Sequence, residues 1–271
     1  MNVVATPTLR ATEKLEASIR LRGSRLCIGL DPDLERIPSH LKGKRDPVRA
    51  FLAGIIEATL DVAALYKPNM AYFEALGPSG WDTLVAVLAC IPPDIPILLD
   101  AKRGDIGHTA RMYARACFDE LGADAVTVNP YLGRDTLQPF VDYPDRLTFV
   151  LAATSNPGAP EFQDLADAEG LPLHRRVARM VRELDGRPGA VGLVAGATRG
   201  EVLSTLREEA PGQWFLVPGV GAQGGDLETV KALGHRTVVN ASRSILYASS
   251  GEDFAEAALR AAMETRDALR T

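Results

Sequence analysis

Eight short apolar runs, each followed by a stretch with helical periodicity, recur along the chain, and this alternation constrains the fold more than any other feature. The runs occupy residues 26–30 (LCIGL), 64–69 (ALYKPN), 97–102 (ILLDAK), 125–130 (AVTVNP), 147–154 (LTFVLAAT), 191–196 (VGLVAG), 214–219 (WFLVPG) and 237–242 (TVVNAS). Short, near-continuous hydrophobic runs suit strands buried on both faces, as in a parallel sheet. Between them, Asp46-Pro47 reads as an N-cap and first-turn proline, with Val48, Phe51, Leu52, Ile55, Ile56 and Leu60 on one face. Trp81, Leu84, Val85 and Leu88 repeat that spacing, residues 226–233 read as a helix stopped by Gly234, and residues 253–269 as a last one. A further helix, over about residues 8–21 and ended by Gly23, precedes the first run.

Strand–helix alternation implies parallel pairing through right-handed crossovers. Eight such units fit a closed (β/α)8 barrel with an extra N-terminal helix better than an open doubly wound sheet. The first run is not followed by GxGxxG, which counts against a dinucleotide-binding sheet. The 271 residues show no composition break or linker, so residues 1–271 read as one domain. The longest irregular stretch, residues 155–170 after the fifth run, reads as a binding loop or lid.

Composition narrows the function classes. With 46% hydrophobic and 24% charged residues the chain is not a disordered one. A formal net charge of −5 offers no basic face for non-specific nucleic-acid binding, although a few local donors can still hold a small anion. No apolar run is long enough for a membrane helix, and the N-terminal MNVVATPTLRATEK does not read as a secretory leader. Cys27, Cys90 and Cys117 lie far apart without CxxC spacing, which points to a reducing, cytoplasmic compartment and away from structural zinc. His40, His108, His174 and His235 show no metal-ligand spacing, and three of the four fall in surface contexts. Cys27, Met180 and Met263 read as packing residues. No metal and no cofactor are expected.

In a (β/α)8 barrel the chemistry lies at the C-terminal ends of the strands. Asp31, Lys67, Asp100, Lys102, Asp105, Ser155 and Arg243 fall there. Asp100 and Lys102, two apart on one strand, point to the same side. With Lys67 and Asp105 they give a network of two cations and two anions in which each charge offsets its neighbours' desolvation. A salt-bridged plug closing the barrel end is the structural alternative. A lysine kept protonated by acids is a poor imine former but a good proton donor, which suggests proton delivery to a carbanion. The loops after the seventh and eighth strands are where barrels cradle phosphate. Here they carry Gly219, Gly221 and Gln223 in a run with four glycines in seven positions, then Ser242 and Arg243, whose guanidinium can bond a phosphate bidentately.

The run Asp100-Ala-Lys-Arg-Gly-Asp-Ile-Gly-His-Thr109 resembles the DxKxxDIxxT signature of the orotidine 5′-phosphate decarboxylases. GLDPD (29–33), YKPNMAYFE (66–74), TSNPGA (154–159), PGVGAQGGD (218–226) and NASRSIL (240–246) extend the resemblance across all eight strands, in the form of the longer bacterial, type 2 subfamily. His108 stands where serine or asparagine is more usual and leaves the charged positions untouched. The resemblance implies cofactor-free decarboxylation of orotidine 5′-monophosphate (OMP) to UMP in pyrimidine synthesis. Lys102 would protonate C6, Asp100 would crowd the substrate carboxylate, and Lys67 and Asp105 would complete the network. Asp31 and Lys67 would hold the ribose, Ser155 the pyrimidine, and Gln223, Arg243 and nearby backbone amides the phosphate. Asp105 and Thr109 would reach in from the partner subunit of a homodimer. Two competing readings are a phosphosugar aldolase or isomerase on the same barrel and a non-catalytic phosphometabolite-binding module.

Overall fold

A computed structural model describes residues 10–184, 190–220 and 227–270. Eight parallel strands follow one another around the sheet: β1 (Leu26–Leu30), β2 (Leu65–Pro68), β3 (Leu98–Arg103), β4 (Ala125–Val128), β5 (Leu147–Ala153), β6 (Val191–Ala195), β7 (Trp214–Pro218) and β8 (Thr237–Ala241). β1 pairs with β8, and single bridges Tyr66↔Ile97 and Asn69↔Asp100 join β2 to β3, closing the barrel. Every strand sits within two residues of its sequence-derived position. Parallel strands covered by helices are apolar on both faces, so they write continuous runs that are hard to mistake.

The two faces of each strand feed two different cores. Cys27, Leu65, Leu98, Phe149, Trp214, Leu216 and Val238 point into the barrel, while Leu26, Ile28, Val150, Phe215, Val217 and Val239 alternate with them and meet the surrounding helices. The N-terminal helix Ala11–Arg22, ended by left-handed Gly23, adds Ala11 and Leu15 to the inner core. Ser18 donates to the Ala64 carbonyl at 2.6 Å, and Lys14 pairs with Asp124 at 2.8 Å. This extra helix plugs the N-terminal end of the barrel and leaves the opposite end for the site.

Helix Pro47–Thr59 forms as its sequence dictates: the Asp46 carboxylate accepts from Arg49 N at 2.9 Å, and Val48, Phe51, Leu52, Ile55 and Ile56 are buried. Helix Gly80–Leu88 departs from expectation. Leu84 and Leu88 are buried, but Thr83 and Val87 complete the inner face, and Trp81 and Val85 stay exposed. Spacing identifies which residues share a face; the neighbouring element decides which face is covered. Met263 is also partly exposed, at 40%, and among the four histidines His174 alone is buried, held at 2.8 Å to the Gln163 carbonyl. The stretch 155–170 is more ordered than its composition suggests, with a short helix at Pro160–Gln163 and a bridge from Ala166 to Pro172. Cys27, Cys90 and Cys117 are free thiols, and burial pushes that of Cys27 up to about 12. Among the described residues no helix is long and apolar enough to cross a membrane.

Candidate active site

Asp100, on β3, is the hub of the charged network. Its carboxylate accepts from Lys67 Nζ on β2 at 2.8 Å, from Lys102 Nζ at 2.5 Å and from the Thr127 hydroxyl on β4 at 2.9 Å. The Lys67 side chain is only 4% exposed, whereas that of Lys102 is 48% exposed and free to meet a ligand. Burial alone would raise the Asp100 carboxyl, but the two ammonium groups outweigh it and hold it well below the usual carboxylate range. Burial likewise acts to lower Lys67, yet Asp31 and Asp100 keep it above the ordinary lysine range. At neutral pH Asp100 is therefore an anion and Lys67 a cation, in a place where water screens neither well.

Two details differ from the sequence reading. Asp100 and Lys102 do not meet by regular alternation, because β3 bulges between the register pairs Leu99↔Val126 and Arg103↔Val128, and Lys102 takes φ +46°. The second anion acting on Lys67 is Asp31 rather than Asp105. The Asp105 carboxylate accepts from its neighbour Ile106 N at 2.8 Å and, among the described residues, forms no ion pair within its own subunit. Thr109, on helix Gly107–Arg115, is exposed and also stands apart from the network.

Beside the network lies a cavity of about 240 Å³ between the ends of β1, β7 and β8. Asp31, Gly219, Ser242 and Arg243 line it as expected, and Tyr72 and Asn240 join them. Asp31 Oδ1 and Ser242 Oγ are buried without a hydrogen-bond partner among the described residues, so both can serve a polar ligand. Arg243 is exposed and forms no ion pair among the described residues. The Tyr247 hydroxyl donates to the Asp31 carbonyl at 2.9 Å and accepts from Asp33 N at 2.6 Å, which fixes the loop carrying Asp31. Gly29 permits the close approach of β1 to that wall: a Cβ there would lie 2.7 Å from Ser242 Cβ. Ser155 leaves β5 on a loop braced by Gln163, whose side chain accepts from Thr154 N and donates to Thr154 Oγ1, both at 2.8 Å. Gly221 and Gln223 lie outside the described residues. Tyr72 and Asn240 sit inside motifs already conspicuous in the sequence, whereas Thr127 and Tyr247 carry no sequence signal and are found only by their contacts. No group of three or more His, Cys, Asp or Glu side chains suited to a metal ion occurs among the described residues.

Fold and site together define a class: a (β/α)8 barrel enzyme with a desolvated lysine–aspartate network and a cation-bearing cavity at its catalytic face. The chain belongs to the orotidine 5′-phosphate decarboxylase / HUMPS family, whose sequence profile matches residues 24–258. It is similar to the orotidine 5′-phosphate decarboxylase of Herpetosiphon aurantiacus, at 49% identity over 251 residues, covering 92% of this chain and 94% of the relative. That of Roseiflexus castenholzii is 48% identical over 262 residues, covering 95% and 96%. Among solved structures, OMP decarboxylase of Leishmania donovani superposes with a TM-score of 0.82 at 36% identity, covering 97% of this chain and 99% of the other. The chain is accordingly a carboxy-lyase that decarboxylates OMP to UMP in pyrimidine biosynthesis.

Proposed function

We propose that this decarboxylation runs without a cofactor, on charge fixed in place before the substrate arrives. The observation that carries the reading is the Asp100 carboxylate held between two lysines, at 2.8 and 2.5 Å. Asp100 crowds the substrate carboxylate. The bond from C6 to that carboxylate breaks, CO₂ leaves, and the electron pair stays at C6, which offers little resonance relief. Lys102 Nζ, the exposed end of the network, stabilises this charge and gives C6 its proton. Lys67 and Asp31 hold the ribose hydroxyls, a role supported by the orphaned Asp31 Oδ1. Ser155 binds the pyrimidine. Gly219, Gly221, Gln223, Ser242 and Arg243 hold the phosphate, whose binding energy is spent at the distant ring. The working unit is a cytoplasmic homodimer in which Asp105 and Thr109 act in the neighbour's site.

The test follows the ultraviolet absorbance of OMP with enzyme treated with EDTA. Undiminished turnover is expected; activity lost to the chelator and restored by Mg²⁺ would overturn the cofactor-free reading. Arg243→Ala tests the phosphate assignment. It should raise KM and lower kcat/KM for OMP by the worth of a charge-assisted contact, on the order of 2–3 kcal/mol. Orotidine, which lacks the phosphate, should hardly respond. Equal losses on the two substrates would show that Arg243 does something other than hold phosphate.

A further inference from the structure

The bulge in β3 sets three residues, Asp100, Ala101 and Lys102, opposite a single residue of β4, Thr127. A ladder interrupted in this way leaves backbone groups of the bulged strand without their usual partners. The Lys102 N–H is served by a side chain instead: it donates to Thr127 Oγ1 at 3.0 Å. The same hydroxyl donates to Asp100 Oδ1 at 2.9 Å. Direction is fixed by chemistry. An ionised carboxylate only accepts, so the hydroxyl proton must point to Asp100, which turns its lone pairs toward the Lys102 amide. Lys102 is the sole non-glycine residue with positive φ among the described residues. Such a conformation persists only where its surroundings hold it. Beyond the bulge the ladder resumes, with Asn129 N donating to the Arg103 carbonyl at 2.8 Å.

We infer that Thr127, a buried residue that need not touch the substrate, is a positioning residue for this reaction: its one hydroxyl ties the backbone of Lys102 to the carboxylate of Asp100. The inference rests on the roles given above to Lys102 and Asp100. Both groups are placed through a single oxygen, so deleting it loosens the proton donor and the anion beside it together. Ammonium-to-carboxylate contact alone does not fix Lys102, because its side chain is long and half exposed. Holding catalytic groups in productive geometry acts on the chemical step more than on affinity for product.

Thr127→Val keeps the shape and removes the hydroxyl; Thr127→Ser keeps the hydroxyl. For Thr127→Val, kcat should fall about 10- to 100-fold, the worth of hydrogen bonds to a charged group, while the Kd for UMP stays within about threefold. Thr127→Ser should restore most of kcat. A kcat for Thr127→Val within about threefold of the parent enzyme would overturn the inference, as would a Thr127→Ser enzyme as slow as the valine variant. Should the valine variant not fold, Thr127→Ala carries the same comparison. Lys102→Ala run in parallel separates two failures. If it remains active, both the role of Lys102 and the inference fall. If it is inactive while Thr127→Val is fully active, the inference alone falls.

Discussion

Lys102→Ala is expected to lose turnover by at least about 10³-fold, close to 4 kcal/mol of transition-state stabilisation, while UMP still binds measurably. The size follows from the double duty of this ammonium. In the proposed mechanism it would be both the proton source and the cation nearest the carbon where negative charge develops, so it would act mainly in the transition state. The fold should survive. Lys102 is half exposed, and on its loss Asp100 still accepts from Lys67 at 2.8 Å and from Thr127 at 2.9 Å, so no buried charge is left without partners. A kcat above about a tenth of the parent value, a loss under ~1.4 kcal/mol, would reject the assignment. Retained UMP binding separates a chemical defect from a collapsed site.

The barrel was legible from the amino-acid sequence because most strands are buried on both faces and several helices carry local start or stop signals. Asp46-Pro47 and Gly23 act through their own backbone and side chains, so their positions could be read without knowledge of the fold. The charged residues at the strand ends were legible for a related reason: a charge directly after a core strand has to be explained, and Lys67, Asp100 and Lys102 do meet. What remained hidden depends on partners distant in sequence. The bulge that turns Lys102 toward Asp100 is a matter of register between β3 and β4, and no spacing within the run DAKRGD reveals it. Thr127 looks like any β-branched strand residue until β3 is laid beside it. The burial of His174 depends on the loop that Gln163 and Asp164 bring over it, at 2.8 and 3.3 Å. Trp81 and Val85 obey helical spacing but stay exposed, at 47% and 45%.

Asp105 provides the sharpest test of the shared site. It lies three residues beyond Lys102, where the chain turns from β3 into helix Gly107–Arg115, and its carboxylate is spent locally on Ile106 N rather than on Lys67 or Lys102. Ile106, which follows it, is 63% exposed, and Met112 on the same helix is 44% exposed, an apolar margin that suits contact with another subunit. In an isologous dimer a residue that crosses the interface does so twice, once into each site. Lys102→Ala and Asp105→Ala enzymes should each be inactive alone. Mixed under conditions that exchange subunits, they form dimers in which one site carries both defects and the other carries neither. Equal amounts reassorting at random put about half of the dimers in the mixed form, each with one of two sites intact, so roughly a quarter of parental activity should return. Were Asp105 to act in its own subunit, every site would keep one lesion and nothing would return. Exchange verified by mass spectrometry without any recovery would therefore reject the shared site and leave the decarboxylase chemistry standing. Recovery near a quarter would place Asp105 across the interface, because no arrangement within one subunit regenerates an intact site from these two variants.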